Sequence, residues 1–248
     1  MRNFDITVNG LPVHAHFSEE NIKNIFIPLL KRLTEMQRDT GKRILAFLAA
    51  PPGAGKSTLV AFLRELSLHE PDVCPVTVIG MDGFHRRQEE LLSRTTVRNG
   101  QEVSLVDIKG APITFDLEKL KDSIRQVAAG ENCLWPDYDR LLHNPVYRGD
   151  RVEGDIVILE GNYLLLDEDG WRDLKQFADY TIRITADTTF LKNRLVNRKM
   201  ASGTEPEKAE AFVEFSDLYN ARLCLGKSFS ADMELCLNAN GSYSLIED

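Results

Sequence analysis

The chain has 248 residues, 43% of them hydrophobic and 27% charged, which suits one α/β domain with additions and argues against a disordered polypeptide. Its formal net charge of −8 argues against a dedicated nucleic-acid binder, which carries a basic excess, while leaving room for a local phosphate site. The longest apolar run, Ile44–Ala50, is too short to cross a bilayer, and the opening Met1-Arg2-Asn3-Phe4-Asp5 holds no apolar signal core. A cytoplasmic protein with no membrane and no nucleic-acid partner is therefore expected, with self-association into a homo-oligomer left open.

In chain order, Phe4–Val8 and Pro12–Phe17 flank Asn9-Gly10, a two-residue turn signal that predicts a β-hairpin. Ile22, Ile25, Phe26, Leu29, Leu30, Leu33 and Met36 then share one helical face, and Pro28 within it predicts a kinked or split helix. Residues 1–42 read as an N-terminal attachment, and 43–248 as the main domain. From Arg43 onward short apolar runs alternate with helical patterns. Candidate strands are Ile44–Ala49, Val76–Met81, Ile156–Leu159 and Tyr180–Thr185, with the little alternation of strands buried on both faces. Candidate helices are Ser57–Ser67, Asp116–Ala129, Thr188–Met200 and Glu205–Tyr219. The last shows a capping box, with Thr204 as N-cap, Glu207 three residues later and Pro206 in the first turn. This order predicts a parallel sheet with helices on both faces. A second hairpin, Glu234–Leu237 and Tyr243–Ile246 around Asn240-Gly241, closes the chain. Cys74, Cys133, Cys224 and Cys236 form no metal-like or CxxC spacing and read as reduced thiols.

The chemistry begins at Ala50-Pro51-Pro52-Gly53-Ala54-Gly55-Lys56-Ser57-Thr58, set between a strand and a helix as a P-loop requires. Gly53 and Gly55 let backbone N–H groups turn inward toward phosphates, with Pro52 and Ala54 completing the loop. The helix N-terminus adds positive potential. Lys56 reaches the β- and γ-phosphates of ATP, the Ser57 hydroxyl ligates Mg²⁺, and Thr58 bonds an α-phosphate. Ala50 stands where the pattern usually has its first glycine. The expected architecture is thus a P-loop NTPase fold.

Two carboxylates follow apolar runs, so they fall at the carboxyl ends of strands, where ligands bind in such sheets. Asp82 follows Val76–Met81 and is assigned to the acceptor hydroxyl's proton; Glu160 follows Ile156–Leu159 and is assigned to Mg²⁺. The two roles are interchangeable at this stage, which keeps Asp82 among the candidate metal ligands with Ser57 and Glu160. Lys192, Arg194, Arg198 and Lys199 crowd one helical segment, with Arg194 and Arg198 on one face. They read either as a solvated surface or as a lid over 192–206 that clamps phosphate charge, hinged at Ala201-Ser202-Gly203. Arg183 is a weaker candidate.

Ala50–Thr58, Met81–His85, Gly110–Asp116, Tyr138-Asp139 with His143, and Leu159–Tyr163 occur in an order that resembles the uridine kinase, phosphoribulokinase and bacterial pantothenate kinase family, from about residue 43 to about 225. The pattern looks most like a bacterial nucleoside/nucleotide kinase-like, or fructose-transport-associated kinase-like, subgroup of unassigned substrate. That likeness extends to the N-terminal segment, Glu210-Ala211 and Asn220-Ala221-Arg222. The resemblance implies that Asp82 is the catalytic base, that Glu160 holds magnesium, that Tyr138, Asp139 and His143 contact the acceptor, and that Arg194 and Arg198 are lid arginines. Gly83-Phe84-His85 is nearer the pantothenate kinase pattern, which places His85 beside the substrate, with a packed histidine as the plain alternative. Ile113 stands where the subgroup often has glutamate. Arg140 stands where uridine kinases carry an apolar or aromatic residue, and an arginine there suits an anionic acceptor. Arg86–Lys109 reads as a substrate-side flap. His14 and His16 share a strand face and read as an incidental exposed pair, and Trp135 and Trp171 as packing anchors.

The expected activity is ATP- and Mg²⁺-dependent phosphorylation of a hydroxyl on a small metabolite. A GTPase switch would need an N-K-x-D motif, which the chain lacks. A nucleotide-sensing regulator would lack the base or the lid.

Overall fold

The computed structural model describes residues 2–8, 11–139, 142–149 and 151–246, with the backbone alone for residues 2, 7, 8, 11 and 12. The expected turn at Asn9-Gly10 and the substrate candidate Arg140 lie outside the described residues.

Strand β3 (Ile44–Ala49) is apolar and buried at every position because both its faces are covered. Ile44, Ala46 and Leu48 point into one core and Leu45, Phe47 and Ala49 into the other, as the two-residue period of a strand demands. It pairs in parallel with β9 (Ile156–Gly161) on one side and β10 (Tyr180–Ala186) on the other. β4 (Val76–Gly80) extends the sheet beyond β9, while β11 (Met233–Leu237) and β12 (Tyr243–Leu245) extend it beyond β10. The order is β12-β11-β10-β3-β9-β4, parallel throughout except for β12. The C-terminal hairpin is therefore part of the main sheet, since β11 runs parallel to β10 from Ile182↔Met233 to Ala186↔Leu237.

The N-terminal hairpin, β1 (Arg2–Val8) and β2 (Leu11–Phe17), packs on one face through its aromatic residues. Phe17 stacks on Phe62 at 4.1 Å between centroids, and Phe4 meets the same ring edge-on at 5.2 Å. The following helix comes in three pieces: α1 (Glu19–Asn21), a π-turn Ile22–Phe26, and α2 (Ile27–Thr40). The π-turn resolves the expected break. Ile27 N–H reaches back to the Ile22 carbonyl immediately before Pro28, whose ring carries no N–H to continue the ladder. Buried Asn21 locks this helix to the sheet edge, donating to Tyr243 O at 2.7 Å and accepting from Tyr243 N at 2.8 Å.

Helix α3 (Lys56–His69) follows β3. The flap 86–109 folds as α4 (Gln88–Ser93) and the antiparallel pair β5 (Thr95–Arg98) and β6 (Gln101–Ser104). Helix α5 (Leu117–Ala128) covers the second face and starts one residue later than expected, because the Asp116 side chain is its N-cap, accepting from Lys119 N. β7 (Asp137–Asp139) and β8 (Asn144–Val146) form a small hairpin beside the C-terminal end of β4. Helix α6 (Thr188–Ala201) is followed by α7 (Pro206–Phe212), a π-turn Val213–Asp217 and α8 (Leu218–Lys227).

The expected capping box at Thr204 does not form. Glu205 is the N-cap, with φ −57° and ψ 145° and no side-chain cap bond. Pro206 is the cause, because proline favours the first helical position and holds the preceding residue extended.

Candidate active site

The loop between β3 and α3 sits at the carboxyl edge of the sheet, tied to β9 by Ala50 N donating to Gly161 O at 3.2 Å. Gly53 and Gly55 adopt φ of 84° and 83°, a region that disfavours side chains. Space is tight as well: a Cβ at Gly53 would lie 3.0 Å from Leu195 Cγ, and one at Gly55 3.1 Å from Arg194 Nη2 at the end of its flexible side chain. Gly55 is the N-cap of α3 and offers no side-chain acceptor, so the first N–H groups of the helix remain available to an anion. Pro52 and Ala54 are buried in the loop wall, while Lys56, Ser57 and Thr58 are half-buried at the helix start.

Ser57 Oγ donates to Glu160 Oε1 at 2.6 Å. Glu160 is only 8% exposed, and its strand neighbours Leu48 and Gly80 hold it in register at the sheet's carboxyl end. Asp82 follows β4 in a 3₁₀ turn, Met81–Phe84, two residues beyond the Gly80 that pairs with Glu160. That end of β4 is pinned by Trp135, whose Nε1–H donates to Gly80 O at 2.8 Å and whose ring meets Phe84 edge-on at 4.9 Å. Trp171 is likewise a packing residue, in contact with Phe115 and Tyr163.

A hydroxyl bonded to a carboxylate at a sheet edge offers the hard oxygen ligands that Mg²⁺ prefers. No group of three His, Cys, Asp or Glu side chains is placed to hold a metal among the described residues. His14 and His16 turn to hairpin partners, Asp5 at 2.6 Å and Asn3 at 2.8 Å.

On the acceptor side the predicted residues divide. His85 stacks on Phe115 at 4.0 Å and meets Tyr138 edge-on at 5.2 Å, so both belong to one wall three residues after Asp82. Asp139 is turned to its own hairpin, accepting from Leu142 N at 3.0 Å and from Arg148 Nη2 at 2.7 Å. His143 is exposed at a left-handed turn position, φ 52°, and contributes its backbone carbonyl rather than its ring to this region.

The segment expected to act as a lid, 192–206, lies mostly on α6. Leu191 and Leu195 pack on the P-loop, and Arg194 reaches Gly55. Its other cations are drawn to α7 and the π-turn that follows it. Lys192 bridges Glu210 at 2.9 Å and Glu214 at 3.4 Å, Arg198 lies 3.7 Å from Asp217, and Lys199 sits 3.3 Å from the centroid of the Phe212 ring. Burial pushes the Asp217 carboxyl above its usual range against the pull of Arg198 and Lys199. Arg183 is engaged within the sheet, donating to Glu234 at 2.8 Å.

Three further residues shape the site. Tyr163 is buried, its hydroxyl donates to Gly110 O at 2.6 Å, and burial raises its pKa well above normal, with Asp217 and Asp82 adding to the rise. Lys109 faces Tyr138, with Nζ 5.1 Å from the ring. Arg98 lies under Tyr219 at 3.8 Å. Tyr163 falls within a quoted motif, and the other two in the flap, but the contacts that give them their character come from distant segments.

The glycine loop, the uncapped helix and the parallel sheet make the molecule a P-loop nucleotide-binding protein. No protein-family profile matches the chain. It is 39% identical over 240 residues to the uncharacterized protein YggC of Escherichia coli (strain K12), covering 96% of this chain and 97% of that one. It is 32% identical over 176 residues to a Schizosaccharomyces pombe protein provisionally named a uridine kinase, covering 68% and 73% of the two chains. Among solved structures, a protein of Silicibacter sp. TM1040 provisionally described as a fructose transport system kinase superposes with a TM-score of 0.71 at 33% identity, over 83% of this chain and 98% of that one. The chain belongs to the P-loop kinase family of uridine kinases, phosphoribulokinases and bacterial pantothenate kinases. It is a small-molecule kinase.

Proposed function

We propose that the protein transfers the γ-phosphate of ATP, with Mg²⁺, to a hydroxyl group of a small metabolite. The observation that carries this reading is the 2.6 Å contact of Ser57 with Glu160 at the uncapped start of α3, with Asp82 at the end of the neighbouring strand. The P-loop N–H groups and Lys56 hold the β- and γ-phosphates. Ser57 and Glu160 would hold Mg²⁺, which when bound neutralises phosphate charge. Asp82 takes the proton of the acceptor hydroxyl as its oxygen bonds to the γ-phosphorus. The bond from that phosphorus to the β,γ-bridging oxygen breaks, and ADP leaves. Arg194, beside Gly55, stabilises charge on the transferring group, and Arg198 joins it when the lid closes. His85 and Tyr138 line the acceptor's place, and Asp139 and His143 shape the hairpin at its rim.

The test is ADP release from Mg-ATP against nucleosides, sugars, sugar phosphates and vitamins, with Asp82→Asn as control. Transfer to one acceptor, lost by at least a hundredfold in the variant, is the expected result. Tight ATP binding without transfer to any alcohol would sink the reading in favour of a nucleotide sensor.

A further inference from the structure

Beyond Val196 the residues of α6 are exposed or half-buried, and the last turn of the helix leans on its cations. Their partners come from one stretch of the chain, which runs from α7 into the π-turn Val213–Asp217. Lys192 is strapped to Glu210 and Glu214, and Lys199 lies over the Phe212 ring. Arg198, one turn beyond the Arg194 that reaches Gly55, has Asp217 at 3.7 Å.

Asp217 differs from the other two carboxylates. Glu210 and Glu214 are exposed, whereas the Asp217 side chain is only 16% exposed. It ends the π-turn, where Leu218 N–H reaches back to Val213 O, and its neighbours Val213, Ser216, Leu218 and Asn220 are all buried. Its charge and that of Asp82 are both felt at the Tyr163 hydroxyl, which places it on the inner side of the segment. Burial raises its pKa in spite of Arg198 and Lys199. A carboxylate in such a place costs stability, and an amide of the same shape costs less, which points to a use for the charge itself.

Arg198 is the opposite case, a long side chain 52% exposed beside a carboxylate held nearly out of solvent. An arginine at such a position without a fixed partner spreads over many rotamers. A guanidinium carries five N–H donors in a rigid fork, so it can keep a carboxylate on one edge and turn another edge to a phosphate oxygen. We propose that Asp217 is a positioning residue for Arg198: it holds the guanidinium on the inner side of α6, next to Arg194, so that both arginines meet the transferring phosphate together. This rests on the kinase reading above.

The test is a double-variant cycle on the full chain, with Mg-ATP and the acceptor that the panel above yields. Asp217→Asn should lower kcat about tenfold, the size of one charge-assisted hydrogen bond, with the KM for ATP within about twofold. Its unfolding midpoint should stay level or rise, which a merely structural role would reverse. Arg198→Met should lower kcat by at least as much, and adding Asp217→Asn to it should change nothing further. Full kcat in Asp217→Asn, an equal fall in the Arg198→Met background, or a fall matched by lost stability overturns the proposal. So does full activity in Arg198→Met, a result that leaves the kinase reading standing.

Nuclear magnetic resonance of protein labelled in its arginines separates the two readings. The Nε–H signal of Arg198, assigned by its loss in Arg198→Met, should report a guanidinium of restricted rotation that Asp217→Asn sets free. That result, with no transfer to any alcohol, upholds the tether and sinks the kinase reading alone. A signal unchanged in Asp217→Asn overturns the proposal. Should Asp217→Asn fail to fold, the unmodified protein decides. Restricted rotation that persists once Mg and a non-hydrolysable ATP analogue are bound supports the tether, and a guanidinium that rotates freely with or without the nucleotide overturns it.

Discussion

Ser57 Oγ and Glu160 Oε1 meet at 2.6 Å across the gap between the first turn of α3 and the end of β9. On the kinase reading, this hydroxyl and nearly buried carboxylate are the pair that would hold a divalent ion.

Glu160→Gln keeps the shape and a hydrogen-bonding oxygen but removes the charge. It should raise the Mg²⁺ concentration needed for half-maximal activity at least tenfold and lower kcat by about a hundredfold. Steady-state rates over a Mg²⁺ titration at fixed ATP check this. An unchanged Mg²⁺ requirement would move the metal's carboxylate to Asp82.

The approach of Asp82 depends on Gly83. A Cβ there would collide with the carbonyl of Pro136, which is backbone and cannot turn aside. Gly83→Ala should therefore displace the 3₁₀ turn Met81–Phe84 from the β7 segment and cost on the order of 2–4 kcal/mol, read from a denaturation midpoint. Full stability in Gly83→Ala would mean that the two segments separate without cost.

Lys109 has a sign that can be worked out for stability. Its folded pKa of about 8 lies below the unfolded value of 10.5, so between those values the unfolded chain binds more protons. Stability must rise with pH across that window, relative to a protein without the lysine. Below about pH 8 both states are charged and the desolvation cost stands in full. Thermal unfolding of the unmodified protein and of Lys109→Met from pH 7 to 10.5 should show the former gaining steadily on the latter above about pH 8. Parallel curves would mean that the amine is not held out of water.

Much of this was readable before any coordinates, and for definite reasons. β3 and β9 are buried along both faces, so their apolar runs are unbroken and their ends are marked by the first polar residue. Asp82 and Glu160 stood out because an acid after such a run falls at the ligand edge. The rest depends on long-range contacts. Lys109 bonds to Gln88, 21 residues away, and to His143 O, 34 away, and nothing local distinguishes it from a surface lysine. Asp139 fits the spacing of a substrate contact, and nothing local in the sequence shows that Arg148 bonds to it. β11 reads as half of a hairpin, which it is, while its register with β10 is invisible in its own sequence. The cap at Thr204 failed for a local reason, since Pro206 claims the first helical position and moves the cap to Glu205.

Arg98 supplies the last prediction. It is 8% exposed, and its three side-chain nitrogens have no hydrogen-bond partner among the described residues. Its guanidinium instead lies 3.8 Å from the centroid of Tyr219 and 5.1 Å from that of Phe215, and burial pulls its pKa below the usual value. Two effects compete when it is replaced. The cation–π contacts are worth about 1–2 kcal/mol. Removing a buried charge without a partner relieves a desolvation cost of several kcal/mol, and apolar replacements of such charges are often neutral or stabilising. Arg98→Met keeps the long stem against the rings and deletes the charge, so the midpoint of unfolding should stay level or rise. A loss beyond about 2 kcal/mol would show that the stacked guanidinium holds the flap to α8 more strongly than its burial opposes it. Comparing Arg98→Met with Tyr219→Leu and the double variant then measures the stacking directly, as the departure of the pair from additivity.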